Sequence, residues 1–359
     1  MTELIPRPAP SQPRATPGPL RPRVDPITSL PIVILYPHNR CNCRCVMCDI
    51  WELRTTEELT IEEIEGWIPE WQAVGVERVV LSGGEPLMYS AFDALGERFQ
   101  TAGIGVSLIS TGLLLERCAE AVGRYCDDVI VSLDGPPDVH DRIRRVPRAF
   151  ERLARGVAAV RAVAPEICIS ARCTIQRENA GALTKTVDAA KDLGLDRVSF
   201  LAADVSSEAF NRPGGWLPDR ATAVALDGAA LHALRGQLDA LARDYTDDFA
   251  SGVIVESIEK LERRLYQYFE AILGNGVFPP IECNAPWVSA VVESDGTVRP
   301  CFFHASLGNA REAGGFEVVL NSDEAVSWRR GLDMRRNEIC RRCVCSLALR
   351  RGAEPGEAV

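Results

Sequence analysis

Across residues 31–201, short apolar runs alternate with longer stretches whose apolar residues recur at helical spacing. The runs Pro31–Tyr36, Arg78–Ser82, Ile104–Ser110, Asp128–Leu133, Ile167–Ile175 and Arg197–Leu201 read as buried strands. Between them, Ile61–Val74, Phe92–Ala102, Ala149–Val163 and Gly181–Leu193 read as helices, and Thr60 with Glu63 has the spacing of a capping box. Six strands joined by helices imply a parallel sheet with right-handed crossovers. If the sheet curls, the α/β fold becomes a partial (βα)6 TIM-like barrel. By analogy with the eight-stranded form, its site then lies at the strands' C-terminal ends.

At 359 residues the chain allows a core of about 200 residues and a smaller module. Eight prolines between Pro6 and Pro26 mark residues 1–29 as an extended or disordered tail. The barrel is expected over 30–203. A helical lid or connector follows over 204–280, with helices near Ala229–Tyr245 and Glu256–Leu273. A small α+β domain is expected over 281–349 after a Gly- and Pro-marked linker at 274–282, and a short tail over 350–359. A net charge of −10 argues against a nucleic-acid partner. No apolar run reaches the roughly 18 residues of a membrane span, and the N-terminus has no signal-peptide pattern, so a cytoplasmic location is expected.

In that compartment the thirteen cysteines are not expected to pair as disulfides. They concentrate at 41–48 and 283–345, a distribution that points to metal. Cys41, Cys45 and Cys48 have the spacing C-x3-C-x2-C on the loop that leaves the first strand. Three thiolates can hold three irons of a cubane cluster and leave the fourth iron for another ligand, whereas a structural cluster takes four. A zinc site drawing its fourth ligand from elsewhere is the alternative. The second strand ends in Ser82-Gly-Gly-Glu-Pro86, where two glycines permit close backbone approach and a carboxylate follows.

Together these motifs resemble the radical S-adenosylmethionine (SAM) superfamily. The resemblance extends over about 170 residues, through Ser110-Thr111-Gly112, Val131-Ser-Leu-Asp-Gly135 with His140-Asp141, and Asn179. It implies that Cys41, Cys45 and Cys48 hold a [4Fe–4S] cluster whose open iron is chelated by SAM. It further implies that Gly83, Gly84, Glu85 and Pro86 border the SAM amino group, with the Glu85 side chain accepting from it. Ser132 would meet the ribose or carboxylate, Arg172 would pair with the carboxylate as a bidentate fork, and Met47 would sit near adenine. No contact is assigned to Thr111. Cys43 has the wrong spacing for a ligand, His38 and His140 read as structural residues, and Asp134 either orients its turn or touches a ligand.

The second group reads Cys283-x12-Gly296-x4-Cys301, then Cys340-x2-Cys343-x-Cys345, with a hairpin turn expected at Asp295-Gly296. It resembles the SPASM and twitch modules of radical SAM enzymes, most nearly the twitch of aminocyclitol-oxidising dehydrogenases. One auxiliary [4Fe–4S] cluster on Cys283, Cys301, Cys340 and Cys343 is implied, and a zinc knot on the same thiols is the alternative. Cys345 is left over, as a plain thiol, an alternative ligand displacing Cys343, or a hydrogen-atom donor. The resemblance implies an external electron donor of the flavodoxin or ferredoxin type. It also implies a small-molecule substrate, sugar- or aminocyclitol-like, that is oxidised or epimerised. The expectation rests on one auxiliary cluster in place of two and on a proline-rich tail where a leader-binding domain would stand. A peptide (RiPP) maturase and a non-catalytic metal-binding scaffold are the other two functions considered.

Overall fold

The computed structural model describes residues 26–312 and 314–349; most of the expected N-terminal tail and the expected tail from 350 lie outside these residues. Six parallel strands form the barrel wall: β1 (Ile32–Leu35), β2 (Arg78–Leu81), β3 (Gly105–Ser110), β4 (Asp128–Ser132), β5 (Cys168–Ile175) and β6 (Arg197–Ala202). They are neighbours in chain order, the arrangement a partial (βα)6 barrel requires. Helices α1 (Ile61–Ala73), α2 (Phe92–Ala102), α3 (Leu115–Tyr125), α4 (Pro137–Arg144), α5 (Ala149–Val163) and α6 (Leu183–Asp192) provide the crossovers. The Thr60 side chain caps α1 by accepting from the Glu63 amide, and Glu63 reciprocates at Thr60. Gly103 ends α2 in the left-handed region (φ +70°), which a side chain rarely adopts. The helix expected over Glu256–Leu273 forms as Ile258–Ile272, with a π turn at Glu262–Gln267 in its middle. The wider turn keeps Leu261, Leu265, Tyr268 and Phe269 buried.

The hairpin expected around Gly296 is present as β7 (Ser289–Val292) and β8 (Thr297–Arg299), followed by β9 (Gly308–Asn309). It does not stand apart from the barrel. Strand β7 pairs in parallel with β1, Ile32 opposite Ser289 through Leu35 opposite Val292, so one sheet runs from β6 to β9. Side chains continue the join. Trp71 of α1 is fully buried against Phe99 of α2 and Phe316 of the C-terminal segment, with ring centroids 6.1 and 6.0 Å away. The pairing brings the loop after β1 and the β7–β8 turn to the same end of the sheet, and β8 runs back from it.

Candidate active site

That end holds a cavity of ≈ 250 Å³ lined by Cys41, Cys45 and Cys48, and also by Met47, Gly83, Gly84, Ser132, Arg172 and Cys345. Ser132 on β4 is in register with Arg172 on β5, so strand pairing alone sets the two side by side. The Arg172 Nε donates to Ser199 Oγ at 2.8 Å, and among the described residues it has no ion-pair partner. Its charge also acts on the buried Glu256 carboxylate, and its side chain lines the cavity. Met47 takes a hydrogen bond on its sulfur from Gln176 Nε2 at 3.6 Å.

The Gly-Gly-Glu-Pro segment splits in two. Gly83 and Gly84 line the cavity, but Glu85 and Pro86 do not. Pro86 opens the short turn Pro86–Met88. The Glu85 side chain has no exposed surface. It accepts from the Thr111 amide (2.7 Å) and hydroxyl (2.5 Å), from Ser110 Oγ (3.0 Å) and from the Leu87 amide (3.1 Å). Its carboxylate thus ties the loops after β2 and β3 together. Thr111, given no contact from sequence, is its principal partner.

A buried ion pair beside Cys45 is legible only in three dimensions. Arg144, at the end of α4, donates from Nε to Asp134 Oδ2 at 2.6 Å and from Nη1 to Cys45 Sγ at 3.5 Å. Burial works against its charge, but Asp134 and the Cys45 and Cys43 thiols more than offset this and raise its pKa. Cys43, expected to be a bystander, is buried facing Cys45. Its S–H donates to that sulfur, which with Arg144 favours the Cys45 thiolate. Asn179 links the strand ends by donating to the carbonyls of Asp134 (3.0 Å) and Thr174 (3.1 Å).

His140 has the structural role expected of it. It is fully buried and accepts the Asp134 amide on Nδ1 at 3.2 Å. Burial, then Arg144, lowers its pKa from 6.5 to about 4. The unfolded chain takes up this proton near 6.5, so the contribution to stability is complete above that pH. It falls by roughly 3 kcal/mol as pH drops toward 4. His140→Gln keeps an acceptor for Asp134 and is expected to flatten that fall in denaturation measurements between about pH 6.5 and 5. An unchanged slope would mean that the histidine is charged in the fold.

The polar stretch after β6 packs over the cysteine loop. Arg212 is buried with Asp204, donating to its Oδ2 at 3.0 Å and to the Met47 carbonyl at 2.6 Å, and it lies 3.8 Å from the Trp216 ring centroid. Arg220 donates to the Val46 carbonyl at 2.6 Å, and Asn211 to the Asp49 carbonyl at 2.9 Å. Phe210 and Asn211 adopt positive φ (61° and 64°), a strain held by these bonds. Asp204, Phe210 and Arg212 also line the cavity. A lid or connector is expected over 204–280 from the sequence, but the bonds that hold this stretch to the cysteine loop have no local signal.

All five C-terminal cysteines, Cys283, Cys301, Cys340, Cys343 and Cys345, line a second, smaller pocket with His304. Cys343 Sγ donates to the Cys345 carbonyl at 3.1 Å. Phe303 and Cys345 line both cavities and separate them.

The thiol sets fit iron–sulfur clusters by their chemistry. Burial pushes Cys41, Cys48 and Cys340 up to about 12 and Cys301 to about 11. Thiolates in such places need a strongly positive group to compensate them, and a cluster supplies one. Among the described residues no group of three or more His, Cys, Asp or Glu is drawn together to hold a metal ion; each thiol set lines a cavity wall instead.

A partial barrel with three thiols at its rim, its sheet extended by a second thiol-rich segment, defines a class of iron–sulfur protein. Residues 35–190 match the model of the radical SAM superfamily, and residues 283–344 match that of the SPASM iron–sulfur cluster-binding domain. The chain carries a radical SAM domain followed by a C-terminal SPASM domain. The cofactors of this pair of domains are SAM and two iron–sulfur clusters. The chain is similar to an AdoMet-dependent heme synthase of Methanosarcina barkeri, at 31% identity over 43% of this chain and 45% of that protein. It is also similar to a PqqA peptide cyclase of Ruegeria pomeroyi, at 27% identity over 73% of this chain and 65% of that one. The matches to the first three curated relatives span less than half of their lengths, 45%, 43% and 45%. In fold it resembles Streptococcus suis SuiB bound to S-adenosylmethionine, with a TM-score of 0.60 and 14% identity over 88% of this chain and 72% of that one. Among the described residues no helix is long and apolar enough to cross a membrane.

Proposed function

We propose that this chain is a radical SAM oxidoreductase or epimerase that takes a hydrogen atom from an unactivated C–H bond of a small, sugar- or aminocyclitol-like molecule. The observation that carries this is the single cavity shared by the three rim cysteines, the Ser132–Arg172 pair and the C-terminal residues Phe302, Phe303 and Cys345. Held by Cys41, Cys45 and Cys48, the cluster with SAM supplies one-electron cleavage of a sulfur–carbon bond and hydrogen-atom abstraction. Arg172 pairs with a carboxylate in the cavity and Ser132 hydrogen-bonds beside it. The Gly83 and Gly84 carbonyls receive an amino group, and the Met47 side chain packs against a flat base. Phe210, Phe302 and Phe303 keep water from the reacting carbon. Cys283, Cys301, Cys340 and Cys343 hold the second cluster, and the Cys345 thiol faces the cavity, where an epimerase would need a hydrogen-atom donor.

The small-molecule reading draws support from the cavity's size and from its cover over 204–220. Similarity to a peptide cyclase over 73% of the chain favours a peptide substrate instead. Anaerobic reconstitution with iron and sulfide is expected to give about eight irons per chain and dithionite-dependent 5′-deoxyadenosine. The Cys41→Ala/Cys45→Ala/Cys48→Ala variant should hold about half that iron and produce none. Full iron loading of the wild type without SAM cleavage would leave only a scaffold. Transfer of deuterium from labelled aminocyclitols, or from a labelled peptide, into 5′-deoxyadenosine separates the substrate classes.

A further inference from the structure

One buried side chain in the C-terminal pocket has no part in the function above. His304 lies three residues past Cys301, and its Nε2 is 3.2 Å from Cys340 Sγ. The residue is 5% exposed, with its ring edge-on to Trp328 at a centroid separation of 4.9 Å. Its carbonyl accepts from Arg299 Nη1 at 3.1 Å, which anchors the backbone beneath the ring. The imidazole is therefore held from both sides with one nitrogen on sulfur. A sulfur bound to iron is a thiolate and can only accept, so the contact is satisfied by the tautomer that carries its proton on Nε2.

We propose that His304 is a positioning residue for the C-terminal cluster: its Nε2–H donates to the Cys340 sulfur and raises the reduction potential of that cluster. Hydrogen bonds to cluster sulfurs favour the more negative, reduced state, and they are among the few means a protein has of setting such a potential. The bond also fixes the Cys340 side chain, which sits on a four-residue helix (Glu338–Arg341) with little packing of its own. The proposal rests on assigning Cys340 to the second cluster.

The test uses the full chain carrying Cys41→Ala, Cys45→Ala and Cys48→Ala, so that only the C-terminal cluster forms, reconstituted anaerobically with iron and sulfide. In this background His304→Phe keeps the packing against Trp328 but removes the donor, and His304→Gln restores an N–H. The iron count should be unchanged in both. The midpoint potential, from a redox titration followed by electron paramagnetic resonance, should fall in His304→Phe and return most of the way in His304→Gln. Unchanged potentials at full iron content would overturn the proposal. So would loss of iron from both variants while circular dichroism stays native, because His304 would then be a ligand. A parent variant that binds zinc in place of iron, or no iron at all, would overturn the C-terminal cluster itself, whatever the histidine variants do.

Discussion

Replacing Arg144 by leucine is expected to destabilise the chain by about 3–5 kcal/mol, the usual cost of leaving one member of a buried ion pair uncompensated. Asp134 has no exposed surface, and without Arg144 its carboxylate keeps, among the described residues, only the Thr174 backbone amide, at 3.3 Å, as a donor. Chemical denaturation measures the loss. Adding Asp134→Asn to Arg144→Leu removes the stranded charge and should recover most of the stability, as neutral replacements of buried pairs do. The recovery should not extend to Cys45, which in either background lacks the guanidinium 3.5 Å from its sulfur. The rim cluster of the double variant should therefore keep a lower reduction potential than the wild type while folding nearly as well. If stability and potential recover together, Arg144 serves Asp134 alone.

This split between fold and site follows what a sequence can carry. The six strands and four of the six helices that cross between them were legible because each depends on its own apolar pattern; Phe92–Ala102 and Ala149–Val163 occur with the bounds expected of them, whereas α3 and α4 were not among the expected helices. The spacing of Cys41, Cys45 and Cys48 was equally local. Ser132 and Arg172 could be placed on one rim because both lie on strands that end there. The internal partners of Glu85 were not legible, because a carboxylate beside two glycines looks the same whichever way it turns. Only the loop after β3 decides the direction, by offering Thr111 and Ser110. Arg144 lies on a helix of eight residues, too short for periodicity to show. The parallel pairing of β7 with β1 joins residues more than 250 positions apart, and the Arg212 contact with the Met47 carbonyl joins residues 165 apart. Neither has a local precursor in the chain.

The largest effect of a single added carbon is expected at Gly84. A Cβ there would stand 1.9 Å from the Arg40 carbonyl oxygen and 2.6 Å from its carbon, and both are backbone atoms that cannot rotate away. The close approach is fixed by the next residue, whose amide donates to that same carbonyl at 2.8 Å. Gly84→Ala must therefore break the Glu85–Arg40 bond or push the loop of Asn39 to Cys41 outward, displacing the first rim cysteine. Several kcal/mol of destabilisation should result, since a clash between backbones is relieved only by moving one of them. Iron retained by the rim site after reconstitution should fall along with thermal stability. The opposite sign is expected at Gly236, in the exposed part of the helix Gly228–Asp244, where an added Cβ would meet nothing within 4 Å. Gly236→Ala should stabilise by about 0.5–1 kcal/mol through helix propensity and reduced freedom of the unfolded chain, with both clusters untouched. If Gly84→Ala matches Gly236→Ala in melting temperature and iron content, the two loops do not pack as closely as drawn. The rim cysteines would then owe their placement to something other than the glycine pair.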